Sequence, residues 1–480
     1  MSKNLIIKAA VVLSLAALAV LAALQVWSRP VDRDEGFWLY TSWRLAAGDV
    51  PYRDFALPHL PLASWYYAGA VKLAGPSLYG LRAANVALFL AGGALLGLAS
   101  RRRFGGAAAA FALLLYGSSS LALTWLVPVK AYAPATFALA AAVALWLWAD
   151  PARGLGVVRA AAVGFLLGAG TLARLPLAAT LAAGAVAAWA AVPPGAPFGR
   201  RLARVAAVCA GFLLAVSPAA LYYHAAAREA FAFNVVGIHR MFMEVPAAGR
   251  GRALLDLFLP PDPVVLVVLA AAAVTRERLR ALAFPLLAGL FVLLANVVPG
   301  SSQLQYFVPM VAAFAPAAGA GAARLWQKRR LLAVAVVAAT ALVGAARPAA
   351  KVVLDRAHKE KVGPAEVYAA AALLRANTRP GDTIYTGWPG YAALAEHRVM
   401  AGWEMGYFTH RIGVHLDAAS RRRYKLMTYD ETAAALTRGD AAYALDGLDT
   451  PATLRPALAR CFEPVARYDG GTLRRYRGSR

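Results

Sequence analysis

The sequence predicts a polytopic α-helical membrane protein with about eleven transmembrane helices and a small C-terminal α/β domain. Of its 480 residues, 60% are hydrophobic and only 16% are charged, whereas soluble domains are nearer half apolar and a quarter charged. Apolar runs of about 18 residues or more recur along the first three quarters of the chain, each long enough to cross a hydrocarbon core of roughly 30 Å. In the last part of the chain the apolar runs become short.

One span is predicted from each apolar run, and the weakest boundary lies where Arg174 and Pro176 interrupt a long apolar stretch. The predicted spans are residues 5–26, 78–100, 105–126, 129–149, 157–173, 175–192, 203–223, 262–276, 281–298, 304–323 and 331–347. Residues 1–347 would form a transmembrane module, and residues 348–480 an extracytoplasmic α/β domain.

The net charge of +25 indicates membrane topology, because the basic residues sit in short connections between apolar runs. Such clusters mark cytoplasmic loops, and no combined basic and aromatic platform for nucleic acid is visible. With a cytoplasmic N-terminus, all the clusters fall inside and the odd number of spans places the tail outside. The clusters are Arg101-Arg102-Arg103, Arg200-Arg201 with Arg204, Arg276 with Arg278 and Arg280, and Lys328-Arg329-Arg330.

Two long outer connections interrupt the spans, residues 27–77 and 224–261. The first predicts two short interfacial helices, residues 34–47 and 62–73, joined by a rigid, extended proline-containing link. Long connections in compact proteins are usually functional. The tail predicts a helix over 366–377 and a strand over 383–386, as in an α/β domain.

The acidic sequence Asp32-Arg33-Asp34-Glu35-Gly36 follows the first span. One interpretation makes Asp34 the N-cap of a helix whose first turn carries Glu35. The other makes Asp34 a base that takes a proton from an acceptor hydroxyl or amine. Both remain open from spacing alone.

Several short motifs resemble the first periplasmic loop and second span of bacterial GT-C membrane glycosyltransferases. They are Asp34-Glu35-Gly36, the segment 48–55 (GDVPYRDF), Pro58 and Pro61, Gly75-Pro76-Ser77 and Leu81-Arg82, with 305–309 (QYFVP) resembling a later motif. The nearest resemblance is to family 39 and aminoarabinose-transferase-like proteins, which are related to protein O-mannosyltransferases. It implies an enzyme of the bacterial inner membrane that moves a sugar from a polyprenyl-phosphate donor to a lipid, glycan or protein acceptor.

The resemblance also implies which residues carry the chemistry. Asp34 matches the catalytic aspartate, Glu35 is its motif partner, and Asp54 matches the acidic residue that closes the loop. Asp34 would act as the base in an inverting single displacement. Nothing in the sequence indicates a cofactor, and a divalent metal ion stays an open alternative.

The cations expected to hold the donor phosphate are Arg53, His59 and Arg82. His59 departs from the family pattern, since relatives often have Lys near the Pro58–Pro61 segment and His is cationic only part of the time near neutral pH. Relatives also often have His where this chain has Gln305.

Other side chains leave two interpretations open. Lys130 and Arg174 lie near the outer ends of predicted spans, where they would either snorkel to the interface or contact the carrier phosphate. Three tail aromatics would form either a core or a sugar platform, namely Trp388, Trp403 and Tyr407.

Two other functions compete with glycosyl transfer. A transporter or lipid-sugar flippase would move its substrate without covalent change, but the sequence lacks the paired interrupted helices typical of such proteins. A polysaccharide polymerase or ligase is expected to use Arg and His in a large late outer loop. The sequence has no Gly-rich phosphate loop between a strand and a helix, so it does not predict a nucleotide site.

Overall fold

A helical bundle followed by a mixed β-sheet makes up the computed structural model of this protein. It describes residues 3–149, 155–192, 195–241, 255–257, 261–275, 277–297, 303–357 and 362–478. In the bundle, the described α-helices are α1 (Lys3–Ser28), α2 (Arg33–Ala46), α3 (Leu62–Ala74), α4 (Leu78–Phe104), α5 (Gly106–Ser118), α6 (Ser120–Trp125), α7 (Tyr132–Leu147), α8 (Val157–Ala173), α9 (Ala179–Ala190), α10 (Phe198–Ala232), α11 (Ile238–Met241), α12 (Pro261–Ala272), α13 (Leu279–Val297), α14 (Val308–Lys328) and α15 (Arg330–Ala357).

Every predicted span coincides with apolar helical structure. Within the described residues, six helical stretches are long and apolar enough to cross a membrane: Val11–Ser28, Leu78–Phe104, Phe198–Met241, Leu279–Val297, Leu304–Lys328 and Arg330–Ala350. Five shorter apolar helices accompany them. A polytopic helical fold is therefore confirmed, and the exact number of crossings stays a prediction.

The predicted span 105–126 is two helices rather than one. The chain turns at Ser119, between α5 and α6, where its ψ of 126° is not helical. Asp262, at the start of α12, accepts a hydrogen bond from the backbone N–H of Ser120 at 2.8 Å and from the hydroxyl groups of both serines. The break is stabilised by a residue distant in sequence, so the local pattern does not reveal it.

The second outer connection was predicted to begin at residue 224, but the helical structure continues beyond that residue. Helix α10 continues to Ala232 with a non-helical kink at Ala227, then a π-helical turn over Phe233–Gly237 leads into α11. The sequence from 219 to 236 contains neither Gly nor Pro, so nothing local stops the helix. The later predicted loop residues 242–254 and 258–260 lie outside the described residues.

Helices α8 and α10 approach closely through glycine. A Cβ atom on Gly164 would lie 2.0 Å from the carbonyl oxygen of Val208, and one on Gly211 would lie 1.9 Å from that of Ala161. Small residues allow backbones to approach in this way, which is a common basis of helix packing in lipid.

The last quarter of the chain forms a five-stranded sheet flanked by helices. Its elements are α16 (Pro364–Asn377), β1 (Thr383–Thr386), α17 (Gly390–Ala395), β2 (Arg398–Val399), α18 (Tyr407–Gly413), α19 (Ala418–Tyr424), α20 (Tyr429–Arg438), β3 (Tyr443–Asp446), α21 (Arg455–Cys461), β4 (Phe462–Tyr468) and β5 (Gly471–Tyr476). The strand order is β2-β1-β3-β5-β4. Strand β1 is parallel to β2 and β3, and β5 is antiparallel to β3 and β4.

The buried apolar side chains form two clusters. One fills the bundle of apolar helices, and the other joins α2 and α3 to the C-terminal sheet and its helices. The backbone N–H of Val31 also donates to the carbonyl of Val362 at 2.9 Å. The C-terminal region therefore lies at the same end of the bundle as the first connection, while Arg101–Arg103 end α4 far from it. The predicted boundary at 347/348 lies inside α15.

Candidate active site

The acidic sequence forms the first turn of α2, and Asp32 rather than Asp34 is its N-cap. One carboxylate oxygen of Asp32 accepts the backbone N–H of Asp34 at 3.0 Å, and Glu35 accepts the N–H of Asp32 at 2.9 Å. This reciprocal arrangement is a capping box. The alternative that made Asp34 the cap is therefore wrong, and the Asp34 carboxylate is free for other contacts.

Glu35 forms a fully buried, bidentate ion pair with Arg82. Nε and Nη2 of Arg82 lie 2.8 and 2.6 Å from the two carboxylate oxygens. Nη1 donates to the carbonyls of Val26 and Arg29, and Nη2 also donates to that of Pro30. All five N–H donors of the guanidinium are used, so this pair fixes the end of α1, the start of α2 and α4 relative to one another.

Lys130 lies between the two aspartates at the start of α2. Its Nζ atom is 2.9 Å from Oδ1 of Asp32, 2.8 Å from Oδ2 of Asp34 and 3.2 Å from Oε1 of Gln305. The lysine side chain is only 4% exposed, whereas each aspartate side chain is 25% exposed. The two carboxylates are thus held by one buried cation on one side and are accessible on the other.

The shared ammonium group gives the two aspartates different protonation behaviour. Burial favours the neutral form of Asp32, but Lys130 and the N–H of Asp34 outweigh it and hold the pKa of Asp32 below its ordinary value. At Asp34 burial prevails over the attraction of Lys130, and the neighbouring carboxylates add to it, so its pKa is raised.

The carboxylate oxygens of Asp32 and Asp34 are also of a kind that can bind a metal ion. Across the described part of the chain, no three His, Cys, Asp or Glu side chains come together as metal ligands. Asp32 and Asp34 supply two carboxylates, and the Nζ atom of Lys130 occupies the position between them. The arrangement fits an ammonium group, and we derive no step through a metal ion.

A second cation, Arg174, lies between aromatic rings. Its guanidinium carbon is 4.6 Å from the ring centroid of Tyr132 and 4.3 Å from that of Tyr306, which is a cation–π arrangement. Its buried Nε atom has no hydrogen-bond partner among the residues that the structure describes. A buried guanidinium nitrogen without a hydrogen-bond partner is unusual, so Arg174 can take an anionic ligand.

His59 is a neutral aromatic residue rather than a cation. Its ring stacks on Trp38, with centroids 4.9 Å apart, and lies 6.1 Å from the ring of His239. Burial, with the charges of His239 and Arg174, holds the pKa of His59 well below its ordinary value. The structure therefore packs His59 among aromatic rings and favours its uncharged form near neutral pH.

Arg53 and Asp54 bind each other at a tight turn. Nε and Nη2 of Arg53 lie 3.0 and 2.8 Å from the carboxylate oxygens of Asp54, which also accepts the N–H of Val50 at 2.7 Å. These contacts, led by Arg53, lower the pKa of Asp54 to about 2. The predicted extended link is thus folded back on itself at Tyr52, whose φ is 68°. No described hydrogen bond or ion pair joins the Arg53–Asp54 pair to Asp34.

The C-terminal region contributes residues that the sequence analysis missed or left open. Asp449 forms an ion pair with Arg33 at 2.6 Å, and the same guanidinium lies over the ring of Tyr407. Trp388 donates its indole N–H to the backbone carbonyl of Asp32 at 3.3 Å. Burial raises the pKa of Asp449 to about 6. Nothing in the local sequence around Asp449 indicates this role.

Other residues can be compared with the sequence-based alternatives. Trp388 and Trp403 are fully buried and belong to the apolar cluster that joins α2 and α3 to the C-terminal sheet. Both are therefore core residues and not a sugar platform. Lys130 contacts Asp32 and Asp34, and Arg174 lies over the rings of Tyr132 and Tyr306. The sequence alone already indicates that Lys130 and Arg174 are functional candidates, because both are ionisable residues near membrane spans.

No protein-family model and no curated protein matches this chain, but solved structures do. ArnT from Cupriavidus metallidurans bound to undecaprenyl phosphate is similar over 97% of this chain and 98% of its own, with a TM-score of 0.71 and 17% identity. Its apo structure gives a TM-score of 0.68 at the same identity.

Two larger proteins also match. The arabinofuranosyltransferase AftD from mycobacteria has a TM-score of 0.51 and 14% identity, over 96% of this chain and 40% of its own. The oligosaccharyltransferase AglB from Archaeoglobus fulgidus, in complex with an inhibitory peptide and a dolichol-phosphate, gives a TM-score of 0.50 and 12% identity, over 92% and 69%. These neighbours are GT-C glycosyltransferases, and at such identities the likeness shows that this chain shares their fold.

Proposed function

Proceeding from the GT-C fold, we propose that this chain is a membrane glycosyltransferase. It moves a sugar from a polyprenyl-phosphate donor to a lipid, glycan or protein acceptor. The observation that carries the proposal is the Asp34 carboxylate at the start of α2, partly accessible and held by a buried Lys130. The ligand named for the ArnT structure, undecaprenyl phosphate, supports a polyprenyl-phosphate donor.

In the proposed reaction Asp34 is the general base. Its ionised carboxylate takes the proton from the acceptor hydroxyl or amine, whose oxygen or nitrogen then attacks the anomeric carbon of the donor. The bond between that carbon and the phosphate oxygen breaks, polyprenyl phosphate leaves with the electron pair, and the anomeric configuration is inverted. A raised pKa strengthens Asp34 as a base, and transfer falls as the pH falls through that pKa because the carboxylate becomes protonated.

The departing phosphate needs cations on the other side of the sugar. We assign this role to Arg174, which lacks an anionic partner among the described residues, and to Lys130, which can exchange one aspartate for a phosphate oxygen. Arg174 lies over the ring of Tyr132, and Lys130 is two residues before Tyr132 in the chain.

The other predicted site residues take different roles in this proposal. Arg82 is a positioning residue, because Glu35 and three carbonyls occupy its donors. His59 is a neutral group beside the phosphate cations. Arg53 and Asp54 bind each other outside the Asp34–Lys130 contacts, and their predicted roles at the donor and acceptor remain predictions.

We assign the site to the extracytoplasmic face of the bacterial inner membrane. The first connection and the C-terminal region lie at one end of the bundle, and Arg101–Arg103 lie at the other end of α4. Basic clusters favour the cytoplasmic side, so the opposite end, with Asp34 and the C-terminal region, would be extracytoplasmic.

The test is to reconstitute the protein in proteoliposomes with a panel of radiolabelled polyprenyl-phosphate sugars and mixed lipid, glycan and peptide acceptors. The proposal predicts release of polyprenyl phosphate and a new glycosidic bond. Movement of an intact donor across the bilayer, with no release of polyprenyl phosphate, would instead support the transporter or flippase function.

A further inference from the structure

A cavity lies between the C-terminal part of α2 and the edge of the sheet, away from Asp34. Its volume is about 370 Å³, at the lower end of the range for small-molecule sites. Arg44 on α2 is ten residues beyond Asp34, or about 15 Å along the helix at 1.5 Å per residue. The residues that line the cavity include Arg44, Arg398, Met400, Glu404 and Met427.

Glu404 is the unusual residue of this cavity. Its side chain is 5% exposed, and the nearest cation, Nη1 of Arg44, is 4.0 Å from Oε1. The Oε2 atom is buried and has no hydrogen-bond partner among the described residues. Burial raises the pKa of Glu404 to about 7. Because buried polar atoms are nearly always paired, an unpaired carboxylate oxygen on a side chain that lines a cavity points to a ligand with a hydrogen-bond donor.

The arginines of the cavity do not favour an anion. Arg44 donates to Asp49 through Nε and to the hydroxyl of Tyr40 through Nη1 at 3.3 Å. Arg398 lies 3.1 Å from the same Asp49 carboxylate. Asp49 and an ionised Glu404 balance the two arginines, and Asp440, which also lines the cavity, is paired with Arg438 at 2.6 Å. A ligand without net charge therefore fits best.

The rest of the cavity surface is partly apolar and partly polar. Met400 and Met427 supply apolar, adaptable contacts, while Glu404 and Arg398 supply an acceptor and a donor. A sugar ring combines these features, because each hydroxyl both donates and accepts and the C–H groups present an apolar face.

We propose that this cavity is a saccharide-binding site that holds one sugar ring of a glycan acceptor, with a hydroxyl group donating to Oε2 of Glu404. This inference rests on the proposed function and makes it more specific, since it selects a glycan among the acceptor classes. A glycan of a few residues is long enough to span the separation of about 15 Å between this site and Asp34.

Binding can be measured without turnover. Saturation-transfer NMR would be recorded on the full chain in a detergent without sugar groups, with glucose, galactose, mannose, arabinose and N-acetylglucosamine as separate probes. At least one sugar should give a signal that Glu404→Gln reduces at least several-fold. Ala401→Phe, which narrows the cavity without changing Glu404, should reduce the same signal, and it serves as the second variant should Glu404→Gln misfold.

Asp34→Asn separates this inference from the proposed function. The variant should keep the sugar signal, because the cavity is distinct from Asp34, while losing transfer. Absence of a signal from every sugar, or a signal that persists in both Glu404→Gln and Ala401→Phe, would overturn the inference. A normal signal without any transfer by the wild type would leave the binding site in place and refute the transferase.

Discussion

Lys130 determines how the acidic first turn of α2 behaves. One ammonium serves two carboxylates, so the cluster of Asp32, Asp34 and Lys130 has a net negative charge when both aspartates are ionised. Because Lys130 holds the pKa of Asp32 low while burial raises that of Asp34, the second aspartate is the one suited to exchange protons. The same contacts place the ammonium group of Lys130 between two carboxylates that, without it, could bind a metal ion.

Replacing Lys130 with Ala should lower the rate of sugar transfer by about 10²–10³, the effect of removing one preorganised donor at a developing charge. Mg²⁺ or Mn²⁺ should restore part of the activity, because the vacated oxygens of Asp32, Asp34 and Gln305 suit a hard cation. The measurement is the transfer rate in proteoliposomes with and without each metal.

Lys130→Arg is the matched control, since it keeps the positive charge, and it should retain more activity than Lys130→Ala and gain nothing from metal. Wild-type transfer should be unaffected by a chelator. Chelator-sensitive wild-type activity, together with a fully active Lys130→Ala variant, would mean that a metal rather than Lys130 supplies the cation.

The Glu35–Arg82 pair should matter chiefly for stability. Arg82→Met leaves a buried carboxylate without its partner, and breaking a buried pair in this way costs about 3–5 kcal/mol. The free energy of unfolding in detergent measures the effect. Arg53→Met, in the exposed Arg53–Asp54 pair, is the control and should change little. Equal stability of the two variants would show that the buried pair does not hold the site together.

At the scale of secondary structure, α2 shows both what local sequence predicts and where it stops. The helix was predicted over residues 34–47 and is observed over Arg33–Ala46. The cap was assigned to Asp34 although Asp32 carries it. The choice depends on Glu35, whose carboxylate is fixed by Arg82, a contact 47 residues apart. Local spacing contains no information about such a contact.

In the C-terminal region too, the local sequence predicts short helices and strands but not the contacts between distant residues. The tail helix was predicted over 366–377 and is observed over Pro364–Asn377, and strand β1 covers the predicted residues 383–386. Propensity and turn residues suffice for such short elements. By contrast, Asp449 reaches the site by an ion pair with Arg33, more than 400 residues earlier in the sequence, which only the folded chain reveals.

Helix α2 packs against the C-terminal region at Gly36. A Cβ atom there would lie 2.4 Å from the indole ring of Trp388, so Gly36→Ala forces the two apart. Overpacking of this kind costs about 1–3 kcal/mol. We expect lower thermal stability and faster proteolysis of the C-terminal region, measured by unfolding in detergent and limited digestion.

The control is Gly69→Ala on α3, where nothing lies within 4 Å of the added methyl group. That change should raise stability by up to about 1 kcal/mol, because alanine has the higher helix propensity. A Gly36→Ala variant as stable as Gly69→Ala would mean that Trp388 does not pack tightly on α2.

At the scale of the whole molecule, the first connection and the C-terminal region form one body at one end of the bundle. They share a buried apolar cluster, and the Trp388 and Asp449 contacts reach the first turn of α2. The basic residues that end α4 are at the opposite end. The distribution of basic residues predicts two different ends of the bundle, but only the structure shows that the tail contacts the first turn of α2.

Sidedness can be tested with single cysteines in a background where Cys209 and Cys461 are replaced by Ser. Cysteine at the exposed Arg422 position should react with a membrane-impermeant maleimide in intact spheroplasts. Cysteine at Arg102 should react only after permeabilisation. Reaction at both positions in intact spheroplasts, or the reverse pattern, would contradict the proposed orientation.

The most direct test of the account is sugar transfer by Asp34→Asn, measured beside wild type and the control Glu463→Gln, which alters a surface pair with Arg475. If Asp34 is the base, Asp34→Asn will still bind polyprenyl phosphate but transfer about 10²–10⁴ times more slowly, the usual contribution of a general base, while Glu463→Gln will behave as wild type. Wild-type transfer by a folded Asp34→Asn variant would show that Asp34 is not the base.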